Sequence, residues 1–398
     1  MKKYLAMLLA GALSVSLLAG CGGNNASNSA ASNAGSASNG SADQSSVIKI
    51  GGIGPLTGSA AVYGIATKTG AQVAVDEINA LGGLQFALDF QDDEGDAEKA
   101  VNAYNNLKGK GMQVLYGTTT TTPCVAVAAE TFNDRIFQLT PSASSTKVTE
   151  GRDNVFQACF TDPNQGKAAA DYIKEHQLGT KIAAIYNNGD AYSTGIFNAF
   201  QAEAQEIGLE VVSASTFPDD TNADFTVQLG EAQKAGADLV FMPIYYTPAS
   251  LILNQAKTMG YEPTFFGCDG MDGILDLEGF DTSLAEGLML MTPFNAWGED
   301  ERTVKFVNEY QALAGGIPNQ FAADGYDCIY AIYEACKQAG VTADMGPQEV
   351  CEKLTKVFTD SSFAVDGLTG SGMHWQTNGE VSKDPVVVKV ESGKYVTQ

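Results

Sequence analysis

Apolar and polar residues follow two alternating periods along most of the chain. From Val47 onward, short apolar runs such as VIKIGGI (47–53) and KIAAIY (181–186) are each followed by a longer stretch of helical period. Short apolar runs are typical of buried strands, and apolar residues spaced three and four apart indicate one buried face of a helix. The pattern therefore predicts a regular succession of strands and helices.

This succession forms two sets of similar length. The first set predicts strands at 47–53, 86–92, 112–117 and 136–140 and helices at 61–80, at 96–109 and from about 123. The second predicts helices at 164–177, 193–207, 224–235 and 248–259 and strands at 181–186, 209–216, 238–244 and 264–267. Because parallel strands need a crossover between them, the alternation favours parallel sheets covered by helices. We therefore predict an α/β fold with two Rossmann-like lobes, each built on a parallel central sheet.

The rest of the chain is less regular. It predicts a strand at 286–292, helices near 300–314, 322–339 and 347–358, and a strand-rich tail at 385–396. These pieces are too few for a third α/β domain, so we expect them to complete the two lobes, with several segments crossing between them. The predicted division is 47–161 plus 293–343 for the N-terminal lobe and 162–292 plus 344–398 for the C-terminal lobe. A ligand cleft is expected between the lobes.

The N-terminus has the pattern of an export signal. Two lysines precede an apolar stretch that ends in small residues and Cys21, which predicts a signal peptide over 1–20. The sequence LLAGC resembles a lipobox, which makes Cys21 the predicted lipid anchor. Residues 21–46 are almost wholly Gly, Ala, Ser and Asn, and they predict a flexible linker. A transmembrane helix is the competing interpretation, but the apolar stretch is shorter than the roughly 20 residues that a span needs. We expect an exported lipoprotein on the outer face of the cell membrane.

Charge and cysteine spacing exclude several classes of function. The formal net charge is −24 at pH 7, whereas nucleic-acid binding needs clustered Lys and Arg, so no nucleic-acid partner is expected. The six cysteines other than Cys21 show no C-x-x-C or zinc spacing, and we predict mostly buried free thiols. The acidic run at 92–98 lacks EF-hand spacing, and Asp96 is predicted as a helix N-cap. No metal or cofactor is predicted.

Five threonines occupy 118–122, directly after the predicted strand 112–117. In open α/β sheets, ligands gather at the carboxyl ends of strands, where loops enter helices. Pro123 in the first helical turn predicts Thr122 or Thr121 as the N-cap, and a helix start favours an anion such as a carboxylate. Helix capping, extension of the strand and ligand binding all remain open for these threonines on local pattern alone.

Other polar and aromatic residues follow predicted strands in the same way. They are the hydroxyl-rich loop 141–147, Tyr192, Tyr245, Tyr246, Thr247 and Asp269. Hydroxyls and helix-start N–H groups suit a carboxylate, Asp269 suits an ammonium, and the tyrosines suit an apolar side chain. A cleft that joins these positions would bind a zwitterionic amino acid.

At these residues the chain resembles the branched-chain amino-acid (leucine/isoleucine/valine) binding proteins of ABC importers, which have the type I periplasmic binding-protein fold. The segments that carry the resemblance, in order, are IKIGGIGPLTGSAAVYG (49–64), GAQVAVDEINALGG (70–83), DDEGDAEKAV (92–101), CFTDPNQG (159–166) and DGMDG (269–273). The resemblance implies a lipid-anchored, monomeric solute-binding protein without enzyme activity. It also implies that the bound amino acid is delivered to an ABC permease with its ATPase subunits.

The resemblance also implies the polar contacts of the ligand. It implies that Thr121 holds the carboxylate and that Ser142, Ala143 and Ser144 supply backbone groups and a hydroxyl to the carboxylate and the ammonium. The acidic partner of the ammonium falls on Asp269. That position holds Glu in the family, so the carboxyl here is one methylene shorter.

Three aromatic contacts are implied as well, at Tyr63, Tyr192 and Tyr246. The sequence departs from the family at two further places. A cysteine pair of some members is absent, since its positions are acidic residues and Thr120, and Met271 replaces a large aromatic residue. These departures leave the identity of the ligand side chain open.

Two other classes of function remain alternatives. The same domain would serve as a sensor if it reported the ligand to a signalling partner. Other small amino acids, amides or carboxylates are alternative ligands within the importer role. An enzyme is disfavoured, because the sequence shows no convincing nucleophile, metal set or acid/base pair.

Overall fold

The computed structural model describes residues 47–219 and 222–398. The predicted signal peptide, Cys21 and the linker lie outside the described residues. Among the helices of the described part, none combines the length and the apolar character that crossing a membrane requires.

The first lobe is built on a five-stranded parallel sheet in the order β2-β1-β3-β4-β5. Its strands are β1 (Val47–Gly54), β2 (Gln85–Asp92), β3 (Val114–Gly117), β4 (Phe137–Thr140) and β5 (Val155–Gln157). Its helices are α1 (Ala61–Leu81), α2 (Ala97–Gly109), α3 (Thr121–Asp134), α8 (Glu301–Ala314), α9 (Gln320–Ala339) and α10 (Pro347–Phe358). Strands β3, β4 and β5 are buried at every residue, because helices cover both faces of a parallel sheet.

The second lobe is built on a seven-stranded sheet in the order β12-β11-β10-β9-β8-β6-β7. Its strands are β6 (Ile182–Asn187), β7 (Val211–Phe217), β8 (Leu239–Met242), β9 (Thr264–Gly267), β10 (Met289–Thr292), β11 (Val386–Glu391) and β12 (Lys394–Thr397). Its helices are α4 (Asp162–Glu175), α5 (Ala191–Ile207), α6 (Thr226–Ala235) and α7 (Tyr246–Met259). Strands β6 to β10 are parallel, and the hairpin β11–β12 adds an antiparallel edge.

The predicted α/β architecture with two lobes is confirmed. Asp96 caps α2 as predicted, since its side chain accepts a hydrogen bond from the Lys99 N–H at 2.9 Å. The six cysteines of the described part are free and buried, also as predicted. The short strand β5 was not predicted, because its three residues are too few to show a period.

The predicted cap of α3 was wrong. The helix begins at Thr121, and Thr120 is its N-cap, although the Thr120 side chain makes no capping hydrogen bond. Pro123 is therefore the third helical residue, where its missing N–H removes no intrahelical bond. Thr121 and Thr122 both belong to the first turn of the helix.

Contacts of the C-terminal segments bear on where the lobes divide. Helix α10 packs against β3 and β4, and the ring of Phe358 lies 4.8 Å from that of Phe137. The Trp375 indole donates a hydrogen bond to the Gln157 carbonyl at 2.7 Å, beside β5. This region is predicted above to belong to the second lobe, but an amphipathic helix has the same pattern whichever lobe it covers. We therefore propose lobes of 47–161 with 293–383 and 162–292 with 384–398.

A buried ion pair ties two of the crossing segments together. The Lys383 ammonium lies 2.7 Å from a carboxyl oxygen of Asp324 on α9, and both side chains are almost fully buried. It also donates a hydrogen bond to the Ala158 carbonyl at 2.7 Å. Ala158 lies where the chain leaves β5 for the second lobe, and Lys383 lies just before β11, where the chain enters the second lobe again. The Lys383 ammonium therefore connects two of the segments that cross between the lobes.

The close approach of α1 and α9 requires a glycine at position 70. A Cβ added to Gly70 would lie 1.8 Å from the backbone carbonyl oxygen of Ala322. Overpacking of a core contact costs about 1–3 kcal/mol. We expect Gly70→Ala to lower the free energy of unfolding by about 3 kcal/mol, the upper end of that range, as measured by urea unfolding. Gly109→Ala is the matched control, because a Cβ there meets nothing within 4 Å. Equal stability of the two variants would contradict this account of the helix contact.

Candidate functional site

A small cleft lies between the two lobes. Its lining residues are Tyr63, Thr119, Thr120, Thr121, Ser142, Tyr192, Tyr245, Asp269, Gly270 and Phe321. Larger hollows exist on the described surface, such as the one between Arg135 and Glu380, but that hollow is open to solvent and formed by the first lobe alone. The inter-lobe cleft is therefore the candidate site.

Hydrogen bonds across the mouth of the cleft hold the lobes against each other. The Thr247 hydroxyl donates to the Ser59 carbonyl at 2.8 Å, and the Thr122 hydroxyl donates to the Asp190 carboxylate at 3.3 Å. The Tyr63 hydroxyl donates to the Gly270 carbonyl. The structure is thus in a closed arrangement, with contacts from α1 and α3 of the first lobe to α5, α7 and the segment after β9.

The threonine run that follows β3 forms one wall of the cleft. The backbone carbonyls of Thr118 and Thr119 are hydrogen-bonded within the first lobe. They accept from the hydroxyls of Thr140 and Ser142, respectively, both at 2.6 Å. The Thr120 hydroxyl is buried and has no partner within the described residues. Thr121 is also buried and lines the cleft at the first residue of α3.

The predicted segment 142–144 reaches the cleft only in part. Ser142 lines it, with the hydroxyl donating to Thr119. Ala143 is fully buried behind it, where its N–H donates to the Thr140 hydroxyl at 3.0 Å and its carbonyl accepts from the Gln157 amide at 2.7 Å. The structure therefore does not bring Ala143 to the cleft. The Ser144 hydroxyl is buried and has no partner in the described part of the chain.

Asp269 forms the opposite, acidic wall. It follows β9 in a short 3₁₀ helix, Asp269–Met271, and only 4% of its surface is exposed. The Tyr192 hydroxyl donates to its carboxylate at 2.8 Å and accepts from the Gly270 N–H at 2.9 Å. Burial raises the pKa of Asp269 to about 6, although the hydrogen bonds from Tyr192 and Gln165 act in the opposite direction. The carboxyl is therefore mostly ionised at pH 7.

Aromatic rings fill the remaining side. The ring of Tyr63 lies 4.2 Å from that of Phe321 and 5.5 Å from that of Tyr245, and Tyr245 stacks on Tyr192 at 5.0 Å. Tyr246 packs edge-on against Tyr63, and its hydroxyl accepts from a backbone N–H of α1, so it supports Tyr63 from outside the lining. The predicted Tyr63 and Tyr192 line the cleft, whereas Tyr245 takes the place predicted for Tyr246.

Five lining residues are not among the predicted ligand contacts: Thr119, Thr120, Tyr245, Gly270 and Phe321. Tyr245 stood beside the predicted Tyr246, and only the direction in which α7 starts decides which ring faces the cleft. Phe321 lies in the first turn of α9, far along the chain from the other site residues, and no local pattern marks it. Within residues 47–219 and 222–398, no group of His, Cys, Asp and Glu side chains forms a metal site.

The match to known proteins covers nearly all of the described part. Residues 47–394 match the family model described as periplasmic binding protein. The Leu/Ile/Val-binding protein homolog 3 of Brucella melitensis is 30% identical over 304 residues, which cover 75% of this chain and 80% of that protein.

Solved structures show the same fold. The leucine-binding protein LivK from Thermotoga maritima superposes with a TM-score of 0.79 and 25% identity, over 88% of this chain and 98% of that chain. The branched-chain amino acid transporter substrate-binding protein LivJ from Streptococcus pneumoniae, in complex with isoleucine, superposes with a TM-score of 0.78 and 26% identity, over 88% and 100%. The chain belongs to the periplasmic binding protein family, and its relatives there include Leu/Ile/Val-binding proteins.

Proposed function

We propose that the protein binds an amino acid between its two lobes and delivers it to the permease of an ABC importer. Branched-chain amino acids are the first ligands to test. The observation that carries the proposal is a buried carboxylate, Asp269, facing the hydroxyl-rich start of α3 across a closed cleft. The carboxylate at one end of the cleft and the helix start at the other, with its partial positive charge, match the two ends of a zwitterion.

The acidic end accounts for the ammonium. A buried carboxylate is stable only when it is paired and hydrogen-bonded. Asp269 receives a hydrogen bond from Tyr192 at 2.8 Å and another from Gln165, yet its burial still raises its pKa. A ligand ammonium next to Asp269 would supply the missing positive charge through charge-assisted hydrogen bonds.

The first-lobe end accounts for the carboxylate. The free N–H groups at the start of α3 carry partial positive charge and favour an anion. Thr120 and Thr121 lie at that start, and the Thr120 hydroxyl has no partner within the described residues. We propose that Thr121 and Ser142 contact the carboxylate from this wall.

The aromatic wall accounts for an apolar side chain. The space between Asp269 and the start of α3 is surrounded by four aromatic residues, Tyr63, Tyr192, Tyr245 and Phe321. The relatives named as Leu/Ile/Val-binding and the neighbour bound to isoleucine support an aliphatic side chain here. Other small amino acids, amides and carboxylates are the alternatives.

The location follows from the family and from the N-terminus. Periplasmic binding proteins act outside the cytoplasm, and we propose that Cys21 anchors this one to the outer face of the membrane through a lipid. Mass spectrometry of the N-terminal peptide tests the anchor. Cys21→Ser is expected to release the protein from the membrane fraction, and its retention there would contradict lipidation at Cys21.

Importer and sensor roles share the same binding domain. Genes for a permease and an ATPase beside this one would favour transport, and a receptor or kinase gene in their place would favour sensing. We propose the importer role, without enzyme activity and with the protein acting as a monomer.

A thermal-shift screen tests the class of ligand. A ligand present at 100 times its Kd stabilises the folded state by about 2.7 kcal/mol, so binding raises Tm measurably. We expect at least one branched-chain amino acid to raise Tm and matched carboxylates without an ammonium to leave it unchanged. If only carboxylates raised Tm, the role proposed for Asp269 would be wrong.

A further inference from the structure

The starts of helices α1 and α7 face each other across the mouth of the cleft. Among the described residues, neither helix receives a capping hydrogen bond from the side chain of its own N-cap, which is Ala60 in α1 and Tyr245 in α7. The first N–H groups of a helix have no partner within the helix, and leaving them buried and unpaired costs free energy. These helix starts therefore need acceptors from elsewhere in the molecule.

Each helix start receives its acceptor from the other lobe. The Val62 N–H, in the first turn of α1, donates to the Tyr246 hydroxyl at 3.2 Å. The Tyr246 N–H, at the first residue of α7, donates to the Tyr63 hydroxyl at 3.3 Å. The Tyr63 hydroxyl in turn donates to the Gly270 carbonyl. Each tyrosine thus caps the helix on which the other lies, and both caps exist only while the lobes are in contact.

The contact between the two helix starts is buried. Tyr63 is 1% exposed and Tyr246 is 2% exposed, and their rings pack edge-on at 4.9 Å. Beside them, the Thr247 hydroxyl donates to the Ser59 carbonyl at 2.8 Å and joins the same two helix starts a third time. Separation of the lobes would break all three hydrogen bonds and expose both rings to water. All three bonds join protein atoms, so they form without any ligand atom.

We propose that Tyr246 is a positioning residue for closure, which holds the two lobes together over the cleft without touching the ligand. Tyr246 does not line the cleft, and its hydroxyl binds the backbone of α1 instead. The effect on ligand release rests on the proposed function, whereas the contact itself belongs to the empty protein as well. Because these bonds form only after the lobes meet, they slow the release of the ligand and do not assist its entry.

Dissociation kinetics measure the effect on release. Tyr246→Phe keeps the ring and removes the hydroxyl that caps α1. Bound radiolabelled L-leucine is chased with unlabelled L-leucine, and calorimetry gives the Kd from which kon follows. Loss of one buried hydrogen bond should raise koff about two- to tenfold, and kon should not fall. Thr247→Val, which removes the hydroxyl bound to Ser59, should raise koff as well. Unchanged koff in Tyr246→Phe would overturn the inference.

Tyr261→Phe is the matched control. Tyr261 follows the other end of α7, and its buried hydroxyl donates to the Ala237 carbonyl at 2.9 Å inside the second lobe. This variant loses a tyrosine hydroxyl bound to the backbone, as Tyr246→Phe does, but it loses no contact between the lobes. Its koff should equal that of wild type even where its Tm falls. An equal rise of koff in both variants would indicate a general loss of stability and would contradict the proposal.

Hydrogen exchange of the empty protein tests the contact without any ligand. The Val62 N–H is the group that the Tyr246 hydroxyl protects, so it should exchange at least about twofold faster in Tyr246→Phe than in wild type. In Tyr261→Phe it should exchange as in wild type. Equal exchange of the Val62 N–H in wild type and Tyr246→Phe would overturn the inference whatever the ligand. If wild type bound no amino acid while this N–H stayed protected, the proposed function and the effect on release would fail, and the contact between the helix starts would be confirmed.

Discussion

Replacing Asp269 with alanine is expected to abolish amino-acid binding while the fold stays intact. Removal of one partner of a buried, hydrogen-bonded charge pair costs about 2–5 kcal/mol, which corresponds to a loss of affinity from roughly thirtyfold to a few thousandfold. Asp276→Ala is the control, because Asp276 is an exposed acidic residue of the second lobe, seven positions further along the chain, that does not line the cleft. Calorimetry with the best ligand of the screen measures both. Unchanged affinity in Asp269→Ala would reject the role of this carboxylate.

The isosteric variant Asp269→Asn has an additional signature in the empty protein. A carboxyl whose pKa rises from 3.8 to about 6 on folding opposes folding once it is ionised. This penalty is fully present above about pH 6 and absent below about pH 4. We therefore expect empty Asp269→Asn to melt above wild type at pH 7 and level with it at pH 3.5. A lower Tm at pH 7 would show that Asp269 stabilises the fold itself.

The second large effect is expected at the buried cation between the crossing segments. Lys383→Met leaves the Asp324 carboxyl unpaired and removes the hydrogen bond to Ala158. Removal of one partner of a buried pair costs about 3–5 kcal/mol, because the remaining charge stays buried without compensation. Urea unfolding of the ligand-free protein measures this loss.

A surface pair provides the control for this prediction. Lys389 lies 3.1 Å from Glu391, and both side chains are more than a third exposed, so Lys389→Met should cost less than about 1 kcal/mol. A second replacement, Asp324→Leu, added to Lys383→Met should recover part of the loss, because no unpaired charge then remains. If Lys383→Met behaved like Lys389→Met, the pair would not tie the crossing segments together.

The helices and strands could be predicted from the sequence because the pattern that indicates them is local. The periods of two and 3.6 residues follow from the geometry of the strand and the helix themselves. The face that will be buried can therefore be predicted from residues that are close together in the sequence. Helix α10 is an element whose packing partner the sequence pattern does not indicate. Its apolar face predicts burial, but not whether the face packs on the first sheet or on the second.

The residues of the site could be predicted only in part for the same reason, because the sequence pattern does not show which elements pack together. Asp269 and the threonine run are predicted as site residues because they follow strands, where parallel sheets place ligands, and the family resemblance then points to Thr121 within the run. Tyr245 and Tyr246 are neighbours with identical side chains, and the direction in which α7 starts decides which of the two rings lines the cleft.

The most direct measurement of the central claim is a paired titration with L-leucine and isocaproate, which is leucine without its ammonium. Both ligands have the same carboxylate and the same aliphatic chain, so the difference between their affinities reports the acidic wall alone. We predict that leucine binds at least about a hundredfold more tightly than isocaproate, as expected for a buried charge-assisted contact. Equal affinity for the two ligands would contradict the account of the cleft as a site for a zwitterion.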